Sequence, residues 1–171
     1  MFRPAFKHSV AAAVLTAFLH LARAGEPLPA VELYLPSPCL ACIDWAEHLM
    51  ENGFRVTFKE TADMAALKRR LKVPADVQSV HTATVDGYFV EGHVPADDIK
   101  ELLREKPKAR GIAVPGLPMG APGREATGAD FSCERGCTIL ERNESRREVR
   151  REMYNTLLVG RDGKTSIFAR H

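Results

Sequence analysis

From Ala30 onward the chain switches between two hydrophobic rhythms. "AVELYL" (30–35) is a short apolar run of the kind that fills a buried strand. At Cys42 the spacing becomes helical. Ile43, Ala46, Leu49 and Met50 share one face, while Asp44, Glu47 and Glu51 fall elsewhere. Gly53 suits the end of that helix. "FRVTFKE" (54–60) alternates apolar and polar positions and predicts a second strand. Thr61 or Asp63 can cap a short helix over "DMAALKRRL", and Val73-Pro74 stops it. "SVHTATVDGYFVEGH" (79–93) predicts a hairpin, with two β-rich runs flanking Asp86-Gly87, a dipeptide that accepts the positive φ of a tight turn. "VPADDIKELLREK" (94–106) opens on Pro95, carries Asp97 and Asp98 in its first turn and basic residues in its last, as a helix does.

The order is therefore strand, helix, strand, helix, hairpin, helix. That is a thioredoxin-like α/β order, with a mixed central sheet flanked by helices. It places Cys39-Leu40-Ala41-Cys42 at the first strand-to-helix junction. Residues 107–128 are rich in Pro and Gly and predict a long surface loop. Residues 129–153 form a charged segment. Within it, 134–152 carries six Arg against five Glu, and spacings such as Glu144–Arg147 and Glu148–Arg151 predict a solvated helix. "MYNTLLVGRDGKTSIFARH" closes the chain with two strands around Asp162-Gly163. No internal repeat is present.

The first 24 residues stand apart. Arg3 and Lys7 precede the apolar "VAAAVLTAFLHLA", and Ala22-Arg23-Ala24 offers a small-residue cleavage site. This predicts a secretory signal peptide over 1–24 and a single domain over 25–171. The apolar run is too short for a stable membrane span. The leader holds Arg3, Lys7 and Arg23 and no acid, so the whole chain's net charge of +2 becomes about −1 after cleavage. No nucleic-acid partner is implied. All four cysteines, Cys39, Cys42, Cys133 and Cys137, lie in the exported part, where an oxidising compartment lets them pair.

A C-x-x-C at a helix N-terminus is chemically distinctive, because unpaired backbone N–H groups and the helix dipole favour a thiolate there. A thiolate is both the nucleophile of disulfide exchange and a soft metal ligand suited to Cu(I) or Zn(II). An inert staple is the plainer alternative, although closing so short a loop gains little. Two cysteines do not complete a metal site. His81 and His93 lie six residues either side of Gly87 in the Asp86-Gly87 turn, so an antiparallel hairpin brings them to one end, which can face the cysteines. Met119 in the loop is a soft donor whose ordinary role is to cover a core, and His48 fits a helix surface.

"PCLACIDWAEHLMENGFRV", "HTATVDGYFVEGHVPADDIKELL", "GIAVPGLPMGAPG" and "DGKTSIF" resemble the periplasmic copper-resistance proteins of the CopG type, long catalogued as a bacterial domain of unknown function. The resemblance covers roughly 30–128 and 154–168. It implies a thioredoxin-like fold, copper binding through cysteine and histidine, and a role in copper redox handling. His48, His81 and His93 match the family pattern. Its C-G-C-C falls on Cys39, Leu40, Ala41 and Cys42, so the inner cysteine is missing. A further family cysteine falls on Val80, and family methionines fall on Leu117 and Arg124. The 129–153 segment reads as an insertion relative to the family, and its Cys133 and Cys137 equal in number the thiols missing from the core.

The sequence thus predicts an exported, periplasmic copper-binding protein of metal tolerance. Cys39 and Cys42 hold Cu(I) as thiolates, and His81 and His93 complete a site open to Cu(II) and one-electron change. Its partners would be the metal ion and another periplasmic copper-handling protein. Whether redox change amounts to enzymatic turnover stays open. Two other classes are carried beside it. One is a metal-free thiol–disulfide oxidoreductase acting through Cys39 and Cys42, against which the stretch "DVQSVHTA" lacks the proline that thioredoxin-type enzymes place before the third strand. The other is a partner-binding module in which the charged insertion makes the contact.

Overall fold

The computed structural model describes residues 27–37, 39–125 and 152–171. The leader over 1–24 and nearly all of the 129–153 segment, with Cys133 and Cys137, lie outside the described residues. Strand β1 (Val31–Leu35) turns Val31, Leu33 and Leu35 inward. Helix α1 (Leu40–Glu51) follows, and β2 (Val56–Glu60) pairs parallel to β1. Helix α2 (Met64–Leu71) is capped by Asp63, whose carboxylate accepts from the Ala66 N–H at 2.7 Å, and it ends on Lys72 in the left-handed region. A single 3-10 turn (Ala75–Val77) leads to β3 (Thr82–Val85) and β4 (Tyr88–Glu91). Asp86 and Gly87 join them at φ 46° and 83°, the tight-turn geometry the sequence predicts. Helix α3 (Ala96–Glu105) precedes β5 (Ala109–Ala113), and β6 (Asn155–Gly160) and β7 (Thr165–Arg170) complete the chain.

All seven strands form one mixed sheet in the order β2-β1-β3-β4-β5-β6-β7. β1–β2 and β4–β5 are parallel and the remaining pairs antiparallel. The β2-β1-β3-β4 half, with α1, α2 and α3, is compatible with the expected thioredoxin-like core. Alternation along β4 and β5 separates two layers. Val90 and Ile112 join the core that holds Trp45 and Leu49 of α1 and Ile99 and Leu102 of α3. Phe89 and Ala113 face the other way, onto Val73 and Val77 beyond α2. Burial of side chains such as Trp45 and Leu49 contributes about 1.5–3 kcal/mol each.

Two readings change. Residues 107–128 are not all loop, because Ala109–Ala113 is an interior strand. Its local sequence is poor in β-formers, and pairing with β4 and β6 on both sides supplies what propensity does not. Gly111 there allows close approach, since a Cβ would collide with the Phe89 backbone. The buried face of α1 is also rotated from the predicted one. It is Cys42, Trp45, Ala46 and Leu49, while Ile43 and Met50 are exposed.

On the α2 side of the sheet, an ion pair with both partners buried joins Lys68 to Glu91. The Lys68 ammonium also donates to the Ser79 carbonyl and the Thr82 hydroxyl, each at 3.0 Å. Glu91 in turn accepts from the Ser79 N–H and the Thr82 hydroxyl, both at 2.6 Å. Burial pushes the Glu91 carboxyl up, and its bonds to Lys68 and Thr82 pull the other way. Leaving one charge of such a pair alone costs roughly 3–5 kcal/mol, whereas replacing both by apolar groups is close to neutral. Lys68→Met is therefore expected to lower unfolding stability by about 3–5 kcal/mol, with most of it recovered in Lys68→Met/Glu91→Leu. Urea unfolding of the three proteins checks this; additive losses would contradict it.

Candidate metal centre

Cys39 is the N-cap residue of α1, in extended conformation, and its carbonyl accepts the first helical bond from the Ile43 N–H at 3.3 Å. Its side chain makes no capping hydrogen bond. Cys39 and Cys42 are joined as a disulfide, with their Cα atoms 5.3 Å apart. Cys42 is fully buried and Cys39 partly so, beside an exposed Leu40. The sulfur pair thus has one protected and one accessible member.

One turn further along α1, Trp45 donates its indole N–H to the Val94 carbonyl at 2.8 Å, which ties the helix to the residue after His93. The Trp45 ring lies 4.5 Å from the ring of His81. His81 in turn meets His93 edge to face, at 4.9 Å between centroids. The hairpin arithmetic holds. Thr82 pairs with Glu91, and the Gly92 N–H donates to the His81 carbonyl, so both histidines emerge at the open end of the β3–β4 ladder. Gly92 itself sits at φ 74°, and a Cβ there would collide with the Val114 carbonyl.

Both imidazoles are fully buried. Neither ring nitrogen of His81 makes a well-formed hydrogen bond, although the Gly92 backbone lies close enough to act on the ring, and Nε2 of His93 has no partner. Such orphans are rare in a finished interior. Nδ1 of His93 lies 2.7 Å from the Pro122 carbonyl. A carbonyl only accepts, so Nδ1 carries the proton and Nε2 keeps a bare lone pair, which is the ordinary arrangement of a metal-ligating histidine. Burial pushes His93 down to about 4, with the Arg124 charge acting in the same direction. Burial also holds His81 well below the usual imidazole range, helped by the neighbouring titratable His93 and by the Lys68 charge. Both rings are neutral at pH 7, the form in which imidazole binds metals.

The loop after β5 closes over this centre. Besides Pro122 on His93, Gly123 packs so tightly on α1 that a Cβ would lie 2.6 Å from the Trp45 backbone nitrogen. Met119 is tied through its backbone to Glu152 in both directions, at 2.9 and 3.0 Å. His48 is not the plain surface residue the sequence suggests. It is half-buried, and its Nε2 accepts from the Ala96 N–H at 3.1 Å, which caps α3 and leaves that nitrogen no lone pair for a metal. Among the described residues, no group of three or more His, Cys, Asp or Glu side chains stands ready to hold a metal ion. The donors that suit copper are the two neutral imidazoles and, once reduced, the Cys39 and Cys42 thiolates. Sequence reasoning missed Trp45 and Pro122, which position the imidazoles through a ring contact and a backbone carbonyl.

The imidazole burial has a pH consequence. Below about 6.5 the unfolded chain protonates its histidines, whereas folded His93 stays neutral down to about 4. The unfolded state then binds more protons, so stability falls as pH drops from 6.5 toward 4, by about 1.4 kcal/mol per pH unit for His93. His93 ring resonances are expected to titrate near pH 4 in the metal-free protein. A midpoint near 6.5 would contradict the buried, neutral assignment.

Residues 77–124, which span both histidines and the closing loop, match a protein family of unknown function, DUF411. Two solved structures, described as copper resistance protein CopG in form 1 and form 2, are each 40% identical to this chain. They align over 85% of this chain and over 98% and 99% of their own, with TM-scores of 0.68 and 0.69. A search of curated proteins found no match. Over that length and identity, the chain belongs to the CopG family of copper-resistance proteins.

Proposed function

We propose that this chain is an exported, periplasmic copper-binding protein of metal tolerance. Copper is its cargo. In this reading the metal is held by Cys39 and Cys42 in their reduced form together with His81 and His93. The observation that carries the reading is the pair of facing, buried, neutral imidazoles with three nitrogens lacking well-formed hydrogen bonds, in contact through Trp45 with the helix that starts at the cysteines. Interior polar atoms without partners cost about 1–3 kcal/mol each, a cost that a bound ion relieves.

Each group has a defined part. The N-terminal end of α1 stabilises negative sulfur, so reduced Cys39 and Cys42 are good thiolate donors for Cu(I). The Pro122 carbonyl fixes the His93 tautomer and directs Nε2 at the metal. His81 supplies one nitrogen, and imidazole also tolerates Cu(II), so the same donors accept a one-electron change. With Ala41 and Val80 standing where family cysteines fall, the core supplies sulfur for a single ion rather than a cluster. The disulfide must open before the sulfurs can bind, which makes loading depend on a reductant. Delivery would run to another copper-handling protein of the same compartment.

The disulfide itself favours a second reading, a metal-free thiol–disulfide oxidoreductase, because the accessible Cys39 and the buried Cys42 are the arrangement needed for one-sided attack. Disulfide-exchange activity that survives copper chelation would favour it.

The reduced protein is expected to bind Cu(I), and Cys39→Ser/Cys42→Ser to weaken that binding by at least about a hundredfold. His93→Ala should cost about tenfold or more, and affinity should fall on acidification as protons compete for the donors. Competition with a chromogenic Cu(I) chelator measures all three. Parental affinity in the double cysteine variant would reject the assignment. Stoichiometry in Cys133→Ser/Cys137→Ser shows whether those thiols replace the missing donors; an unchanged value discards that role.

A further inference from the structure

The end of the sheet opposite the cysteines and histidines carries a second feature. Arg70 and Lys72 from the end of α2, Arg110 from the start of β5 and Arg161 from the β6–β7 turn line one open concavity of about 450 Å³, with Gly87 of the hairpin turn at its edge. No carboxylate lines it. None of the four cations is ion-paired among the described residues. The two acids beside it in sequence are engaged elsewhere, Asp86 with Lys106 and Asp162 with Lys164, each at 3.7 Å.

Arg110 is the fixed element. One guanidinium nitrogen donates to the Lys72 carbonyl at 3.3 Å and another to the Arg161 carbonyl at 2.6 Å. The group is thus held between two loops by neutral acceptors, with its charge uncompensated and three of its five N–H donors left over. A planar guanidinium held in this way suits carboxylate oxygens. Gly163 leaves room beside it, since a Cβ there would touch Arg110 at 3.4 Å. Concentrating four cations in one concavity with no lining carboxylate creates a local field that draws anions.

We infer that this concavity is a docking site for an acidic peptide segment of a partner protein, whose carboxylates pair with Arg70, Arg110 and Arg161. The site is open and presents four cations with no carboxylate among its lining residues. The guanidinium of Arg110, fixed by two carbonyls, suits bidentate pairing with a side-chain carboxylate, and the cations around it complement a short run of acidic residues. The site lies at the far end of the sheet from the copper donors, so a partner could hold the chain while the metal centre stays accessible.

The test titrates the full chain with a hexaglutamate peptide at low salt and follows backbone amide resonances. Saturable shifts are expected at 70–72, 87, 109–110 and 161–163. Raising the salt from about 20 to about 200 mM should weaken binding about tenfold. Arg70→Glu/Arg161→Glu, at two exposed positions, should abolish it, and Arg104→Glu on α3 should leave it unchanged. Unaltered amide spectra away from the substitutions establish folding of each variant. Absence of saturable shifts, equal binding by Arg70→Glu/Arg161→Glu, inorganic phosphate binding as tightly as the peptide, or preferential binding to anionic lipid vesicles would each overturn the proposal. Copper affinity of the same variants is expected to match the parent, so this site and the metal centre fail or stand separately.

Discussion

The arrangement rests on a charge buried where water does not reach. Lys68 leaves α2, crosses to the sheet and meets Glu91, while Ser79, ahead of β3, and Thr82, at its start, satisfy both groups. These partners bracket the histidines. Ser79 and Thr82 flank His81, and Glu91 precedes His93 by two residues. A pair this buried cannot shift without stranding a charge, so it fixes the open end of the hairpin and with it the separation of the two rings. The other face of the sheet adds the second fastening, through the Trp45 indole on the Val94 carbonyl.

From that rigidity follows the chemistry. Imidazoles held in the interior stay neutral because burial disfavours the cation, and neutral imidazole carries the lone pair a metal needs. The Pro122 carbonyl decides which His93 nitrogen keeps it. The cysteines are placed by a different device, the start of a helix directly after a strand, where backbone N–H groups are unpaired. Of the proposed donors, the two imidazoles are therefore locked by packing and the two sulfurs governed by redox state. Under the proposed function, such a centre would take up copper under reducing conditions and bind it more weakly once the disulfide closes.

Much of this was legible in the sequence, for identifiable reasons. The Asp86-Gly87 turn sets the hairpin register, and counting outward from it puts His81 and His93 together, as found. The C-x-x-C before a helical rhythm located the start of α1. Contacts distant in sequence were not legible. Lys68 sits in "LKRR" and reads as part of a solvated face, and only the fold brings Glu91 to it. The cap that His48 provides for α3 spans 48 residues. β5 was hidden by a Pro- and Gly-rich composition, because its strand character comes from two neighbours rather than from its own side chains. Rotation of α1 toward Trp45 was likewise set by the ring of His81 and the carbonyl of Val94.

X-ray absorption spectroscopy of the reduced, copper-loaded protein tests the central claim most directly, because it reads the atoms bound to the metal. Sulfur and imidazole scattering in the same spectrum, with the imidazole contribution lost when both His81 and His93 are replaced, is the result this account predicts. A spectrum without imidazole, or one unchanged by those replacements, would contradict it.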